Sequence, residues 1–194
     1  MLGRSVIIID DKPDQRFVLK GLLTDIGCSV IGEGASGIDA VKLMQDKTPD
    51  VVFMDVSMPG MDGIDAVNLI KNLNPVPVIL LTGKRDEETI KRAMDAGIFA
   101  LLIKPVREEE LMPAIELAIA RFKEFNTVMK ENQDLKEALE ARKIIERAKG
   151  ILMKKEGLSE KETFTFIQKT SMDRRQSMRE VALAIISAFE GKKN

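Results

Sequence analysis

Residues 5–11 read SVIIIDD, so a strand-like apolar run, Val6 to Ile9, ends directly on two adjacent carboxylates, Asp10 and Asp11. A short run with no polar alternation suits a strand covered on both faces, the habit of parallel sheets flanked by helices. Ending it on two like charges is costly unless positive charge lies beside them. Working outward, four further runs share the same character: CSVIG at 28–32, VVFM at 51–54, PVILL at 77–81 and ALLI at 100–103. Apolar residues at helical spacing lie between them, as in Phe17, Leu22 and Leu23, then Ala40, Val41 and Met44. Five strand–helix units within residues 1–122 predict a doubly wound α/β domain with a five-stranded parallel sheet. In that architecture the working residues gather at the carboxyl edge of the strands, beside a topological switch point. Pro113 falls early in the last helix, where Arg107 to Leu111 can form a first turn whose amide hydrogens lack helical partners.

Composition narrows the chemistry. The chain has 194 residues, 44% of them hydrophobic and 31% charged, with a formal net charge of −1. It holds no histidine and one cysteine, Cys28, which removes the commonest general base, any intrachain disulfide and any cysteine-rich zinc site. Cys28 reads as a small buried hydrophobe. No apolar run approaches the roughly 18 residues that a membrane span needs, and no basic leader precedes a hydrophobic stretch. A soluble, cytoplasmic protein is the expectation. Charge is unevenly spread: residues 1–129 hold 15 Lys+Arg against 20 Asp+Glu, and residues 130–194 hold 15 against 11. The basic tail suits a polyanionic partner.

Beyond Leu111 the pattern changes to one long helix, with Pro113 near its start and no glycine until Gly150. Phe125, Val128, Asn132, Leu135 and Leu139 alternate by threes and fours, a coiled-coil spacing in which an inward Asn132 fixes register in a parallel dimer. The alternative is an amphipathic helix packed on its own chain. Gly157 stops this helix, Ser159 and Glu162 form a capping box for a second, and Asp173 caps a third through Val181, Ala182, Ile185, Ile186 and Phe189. The domain division expected is 1–122, a helical linker at 123–134, and a three-helix all-α domain at 135–194. Basic residues cluster at Lys149, Lys154 and Lys155, and at Arg174, Arg175 and Arg179.

Three strand ends carry polar residues that a hydrophobic sheet does not need: Asp10 with Asp11, Asp55 in VVFMDVSMPGMDG, and Thr82 in VILLTGK. A fourth, Lys104, follows ALLI and precedes Pro105. If strands one, three, four and five lie side by side, all converge at one edge. Three carboxylates from two strands then make a hard oxygen site suited to Mg²⁺, which offsets their repulsion. The cation and Lys104 together would neutralise a phosphoryl group arriving at Asp55. GEGASG at 32–37 matches the G-x-G-x-x-G dinucleotide-binding pattern, but it follows the second strand rather than the first and reads as a glycine-rich turn.

These residues, in this order and spacing, resemble a two-component response-regulator receiver domain of flavodoxin-like fold over residues 4 to about 122. The resemblance implies Asp55 as phosphoacceptor, Asp10 and Asp11 as metal-side acids, and the Ser57 backbone carbonyl as a further Mg²⁺ contact. It also implies Thr82 as the switch hydroxyl and Lys104 as the phosphate-pairing base, followed by a cis peptide to Pro105. Such a domain promotes only phosphorylation and dephosphorylation of its own aspartate and is not otherwise an enzyme. One departure is Leu101, where the family usually has Tyr or Phe, with Phe99 nearby.

The tail, through Ala148-Lys149-Gly150-Ile151-Leu152-Met153 and Ser171-Met172-Asp173, resembles an ANTAR domain, the RNA-binding antitermination module. Thr163 stands where that family commonly has alanine. The implied function is a phosphorylation-dependent regulator, served by a sensor histidine kinase, that dimerises through the receiver's far face and the 111-to-155 helix. It would bind RNA hairpins in nascent transcripts and promote antitermination. Lys149, Arg174, Arg175 and Arg179 are the candidate RNA contacts. A DNA-binding helix-turn-helix output and a protein-docking output are the alternatives, the first weakened by the length of the leading helix.

Overall fold

The computed structural model describes residues 3–83 and 87–190. Strands and helices alternate: β1 (Ser5–Ile9), α1 (Pro13–Asp25), β2 (Ser29–Gly34), α2 (Gly37–Asp46), β3 (Val51–Asp55), α3 (Gly63–Leu73), β4 (Val78–Thr82), α4 (Glu87–Asp95) and β5 (Ala100–Ile103). Three helices follow, α5 (Glu108–Glu156), α6 (Glu160–Arg174) and α7 (Met178–Glu190). The chain divides into two compact units, Met1–Asn126 and Thr127–Asn194.

In the first unit five parallel strands stand in the order β2-β1-β3-β4-β5. Successive side chains of a strand point to opposite faces, and here both faces are buried. Ile7, Ile9, Val52, Met54 and Leu80 pack on one side with α2 and α3 residues such as Met44, Val67 and Ile70. Val6, Ile8, Phe53, Ile79 and Leu81 pack on the other with Leu19 and Leu23 of α1 and Leu111, Ile115 and Ala118 of α5. That two-sided burial is why the strands read as continuous apolar runs. Cys28 is buried in the second of these layers, as its composition-based reading expects. Phe17, by contrast, is 77% exposed, so α1 turns it away from the sheet.

The chain reverses direction across the sheet at β1, whose neighbours are β2 on one side and β3 on the other. A crevice at the carboxyl ends of β1 and β3 follows from that order. Helix α5 begins at Glu108, which puts Pro113 two residues past the positions with unpartnered amides; the helix continues through it.

In the second unit, Ala148 and Leu152 of α5 pack with Ile167 of α6 and with Val181 and Ala182 of α7. Gly157, at φ +69°, supplies the left-handed turn that ends α5. The Ser159 and Glu162 capping box forms as its sequence predicts. The expected third cap does not: Asp173 lies inside the last turn of α6, and α7 is instead capped by Ser177, whose Oγ accepts from the Glu180 amide at 3.2 Å. Glu180 returns the contact by accepting from the Ser177 amide at 2.7 Å. Ser-x-x-Glu at 177–180 is the same box as 159–162, and it outcompetes a lone aspartate because two amides are satisfied rather than one.

Candidate functional site

The edge formed by the carboxyl ends of β1, β3 and β4, with the segment after β5, gathers Asp10, Asp11, Asp55, Thr82 and Lys104. Asp10 and Asp55 are 1% and 3% exposed. Such burial of two carboxylates demands a counter-charge, and Lys104 provides it. Its Nζ donates to Asp10 Oδ2 at 2.5 Å and pairs with Asp55 Oδ1 at 2.9 Å. Its third contact goes to Gln15 Oε1 at 2.6 Å. The Lys104 amide donates to the Thr82 carbonyl at 2.8 Å, and the Lys104–Pro105 peptide is cis. Thr82 itself is 2% exposed at the end of β4.

Lys104 does not satisfy the whole cluster. One oxygen of each of Asp10, Asp11 and Asp55 lies within 4.8 Å of the others, a spacing that suits a shared hard cation. Asp11 Oδ1 is buried without a hydrogen-bond partner. An unpaired buried carboxylate oxygen is costly, so the donor set and the orphaned atom both fit a bound Mg²⁺. Burial pushes the Asp55 carboxyl above its ordinary range and Asp10 adds to the effect; the Lys104 hydrogen bond and charge and the Ser57 amide oppose it. Ser57 is exposed on the loop after β3.

Three participants have weak sequence signals. Gln15 is one turn into α1 and reveals nothing until α1 packs beside Lys104. Arg16 donates from Nη1 to the Asp10 carbonyl at 2.5 Å, holding the β1 terminus in place. Gly63 starts α3, where a Cβ would lie 2.1 Å from the Asp55 carbonyl oxygen, so only glycine lets α3 approach the site. The glycine of MDG is visible in the sequence; the reason for it is not.

Phe99 does not take the place of an aromatic at 101. Its ring packs on Phe122 and Phe125 of α5 at centroid distances of 5.7 and 5.9 Å, while Leu101 packs with the layer on the opposite face of the sheet. The GEGASG turn is tied to the helix that follows it: Asp39 Oδ2 of α2 accepts from the Ala35 amide at 3.0 Å, and Ser36 caps α2.

In the second unit the structure separates the four basic candidates. Arg174, Arg175 and Arg179 are exposed. Lys149 is 6% exposed, and its Nζ contacts Glu160 at 2.8 Å and Glu146 at 3.1 Å. The Glu160 hydrogen bond, then that of Glu146, raises its pKa. Lys149 is therefore corrected to an internal brace between α5 and α6, because the apolar neighbours Ala148 and Leu152 pull its helix face into the bundle.

A parallel α/β sheet with this acidic pocket defines a class, the phosphoacceptor receiver domains. Residues 6–116 match the response regulator receiver domain family and residues 133–186 match the ANTAR domain family. The chain belongs to the two-component response regulators, with a receiver domain followed by an ANTAR domain. It is 40% identical over 186 residues to the transcriptional regulatory protein PdtaR of Mycobacterium tuberculosis, covering 96% of this chain and 91% of that protein. Among solved structures, it is similar to the response regulator domain of Thermotoga maritima CheB, at 28% identity and TM-score 0.56, covering 61% of this chain and 97% of that one. It is also similar to the CheX-CheY-BeF3-Mg+2 complex from Borrelia burgdorferi, at 25% identity and TM-score 0.55, covering 58% of this chain and 86% of that one. Among the described residues no helix is long and apolar enough to cross a membrane.

Proposed function

We propose that this chain is a phosphorylation-dependent regulator, working in the cytoplasm, that binds RNA hairpins in nascent transcripts and promotes transcription antitermination. The observation that carries the reading is Lys104 bridging Asp10 and Asp55 beside the orphaned Asp11 oxygen, in a chain that continues into an ANTAR match. The similar Borrelia complex is one with BeF3 and Mg²⁺, which supports assigning the same cation to the acidic pocket here.

Asp55 is the nucleophile. One of its carboxylate oxygens attacks the phosphorus of a kinase phosphohistidine or a small phosphodonor; the new P–O bond forms as the old bond to the leaving group breaks, and the electron pair departs with that group. Asp10, Asp11, Asp55 and the Ser57 carbonyl would hold Mg²⁺, whose charge would offset that of the phosphoryl oxygens. Lys104 transfers a hydrogen bond from Asp55 Oδ1 to a phosphoryl oxygen, and the Thr82 hydroxyl turns to another. Each charge-assisted contact contributes about 1.5–3 kcal/mol, enough to supply the roughly 1–3 kcal/mol typical of allosteric coupling. The protein acts chemically on its own Asp55 alone. The coupled response is dimerisation, which presents two ANTAR bundles to two hairpins and raises avidity by about 10²–10⁴.

The test measures solution mass and hairpin affinity with and without acetyl phosphate or beryllofluoride plus Mg²⁺. Both rise on activation of the wild-type chain and stay at their resting values in Asp55→Asn. No change in either for the wild type overturns the switch.

A further inference from the structure

The ammonium of Lys104 has three N–H donors, and three acceptors close around them: Asp10 Oδ2 at 2.5 Å, Asp55 Oδ1 at 2.9 Å and Gln15 Oε1 at 2.6 Å. The two carboxylates belong to the phosphoryl-transfer site already described. Gln15 has no part in that chemistry, yet it takes the donor that they leave. Its placement is built into the start of α1. On either side of it the chain is tied to Asp10: the Lys12 amide donates to Asp10 Oδ1 at 2.9 Å, and Arg16 Nη1 donates to the Asp10 carbonyl at 2.5 Å. One turn on, Leu19 is buried in the core layer under α1. Gln15, Asp10 and Lys104 also line a cavity of about 350 Å³ whose other walls include Val18, Leu22 and Val106. With an apolar side chain at position 15 the third donor would face those apolar walls, where an unmade hydrogen bond is costly. With a carboxylate there, a further negative charge would stand beside Asp10 and Asp55 and hold the ammonium back from an incoming anion. A neutral acceptor of this reach satisfies the donor without competing for its charge.

We propose that Gln15 is a positioning residue for phosphoryl transfer to Asp55. As the Asp55 oxygen bonds to phosphorus, Lys104 exchanges that oxygen for a phosphoryl oxygen, and Gln15 keeps Nζ in place through the exchange. No atom of Gln15 joins a bond that forms or breaks, so it acts through Lys104 alone. The assignment rests on the reading of Asp55 as phosphoacceptor and adds the group that aims its cation.

The experiment uses full-length chains with acetyl phosphate and Mg²⁺, so that no kinase surface enters the rate. Gln15→Met keeps the length of the side chain and replaces its carbonyl by a weak acceptor. Phosphoryl uptake by Gln15→Met is expected to slow about tenfold, as for the loss of one hydrogen bond to a charged group. Its Mg²⁺ affinity and thermal midpoint stay as in the wild type. On a Lys104→Met background, where no ammonium remains to be aimed, the same change leaves the residual rate as it is. Equal uptake by wild type and Gln15→Met overturns the proposal and leaves the Asp55 reading standing. A parallel fall in Mg²⁺ affinity overturns it too, since α1 itself would then have shifted and carried Asp10 with it. A further loss of the same size on Lys104→Met does so as well, because Gln15 would then act by another route. A wild-type chain that takes up no phosphoryl group, or an Asp55→Asn chain that takes it up equally, removes the Asp55 reading and this role with it.

Discussion

At the scale of single residues, two positions carry opposite backbone constraints. Gly63 sits where a Cβ would lie 2.1 Å from the Asp55 carbonyl oxygen, a backbone atom that cannot swing aside. Gly63→Ala should therefore cost about 1–3 kcal/mol, the usual range for forced overpacking, read as a lower urea midpoint for the receiver unit. Arg175 poses the opposite problem. It caps α6 in the left-handed conformation at φ 51°, where glycine is the ordinary choice and a side chain costs about 1–2 kcal/mol. In the proposed RNA-binding role, a phosphate contact would account for a guanidinium at a position that disfavours it. Arg175→Gly is expected to raise the thermal midpoint while weakening hairpin binding and lowering its salt slope; unchanged binding removes Arg175 from the interface. Lys149 shows how spacing misleads at this scale: it shares a basic cluster in the sequence with Lys154 and Lys155, yet lies inside a brace of two glutamates.

At the scale of elements, the two short helices of the second unit begin with matched boxes, Ser159 with Glu162 and Ser177 with Glu180. The Ser159 hydroxyl and amide hold Glu162 below its ordinary pKa, and the Ser177 amide and hydroxyl do the same for Glu180. A carboxylate whose folded pKa is depressed contributes stability that is fully present above the unfolded value, about 4.3 for glutamate, and is lost as pH falls through the lower folded value. Acidification through that window should fray α6 and α7 from their N-termini. The double variant Glu162→Gln, Glu180→Gln should show a flatter acid limb in a helicity titration; an unaltered limb would show that the boxes contribute nothing to pH dependence. The first box is legible because its four residues adjoin a glycine stop. The second is masked because Asp173 offers a nearer cap, and only the continuation of α6 through Arg174 buries that option within a helix.

At the scale of the whole molecule, α5 carries an apolar series that is largely exposed among the described residues. Val128, Leu135 and Leu139 are 57%, 71% and 54% exposed in the second unit. In the proposed dimer these residues form the seam, with Asn132 setting register. Leu135→Lys with Leu139→Lys should leave the melting of the single chain within about 0.5 kcal/mol, as surface changes usually do. It should abolish the mass increase on activation in light scattering. Persistence of that increase would move the dimer contact elsewhere.

What the sequence determined by itself was everything carried by short-range pattern: five apolar runs, the long helix, the stop at Gly157, the helix start at Ser159, and the polar residues at the strand ends. Those features are legible because strand and helix periods repeat within a few residues. Tertiary structure alone decided which groups meet. Gln15 and Asp10 share the ammonium of Lys104 across 89 and 94 positions, and Asp11 is left with a buried oxygen lacking a partner. The burial of Lys149 and the exposure of Arg174 were settled in the same way, by how helices from distant parts of the chain pack. Burial and pairing are properties of the space between elements, and no periodicity within one element specifies its neighbours.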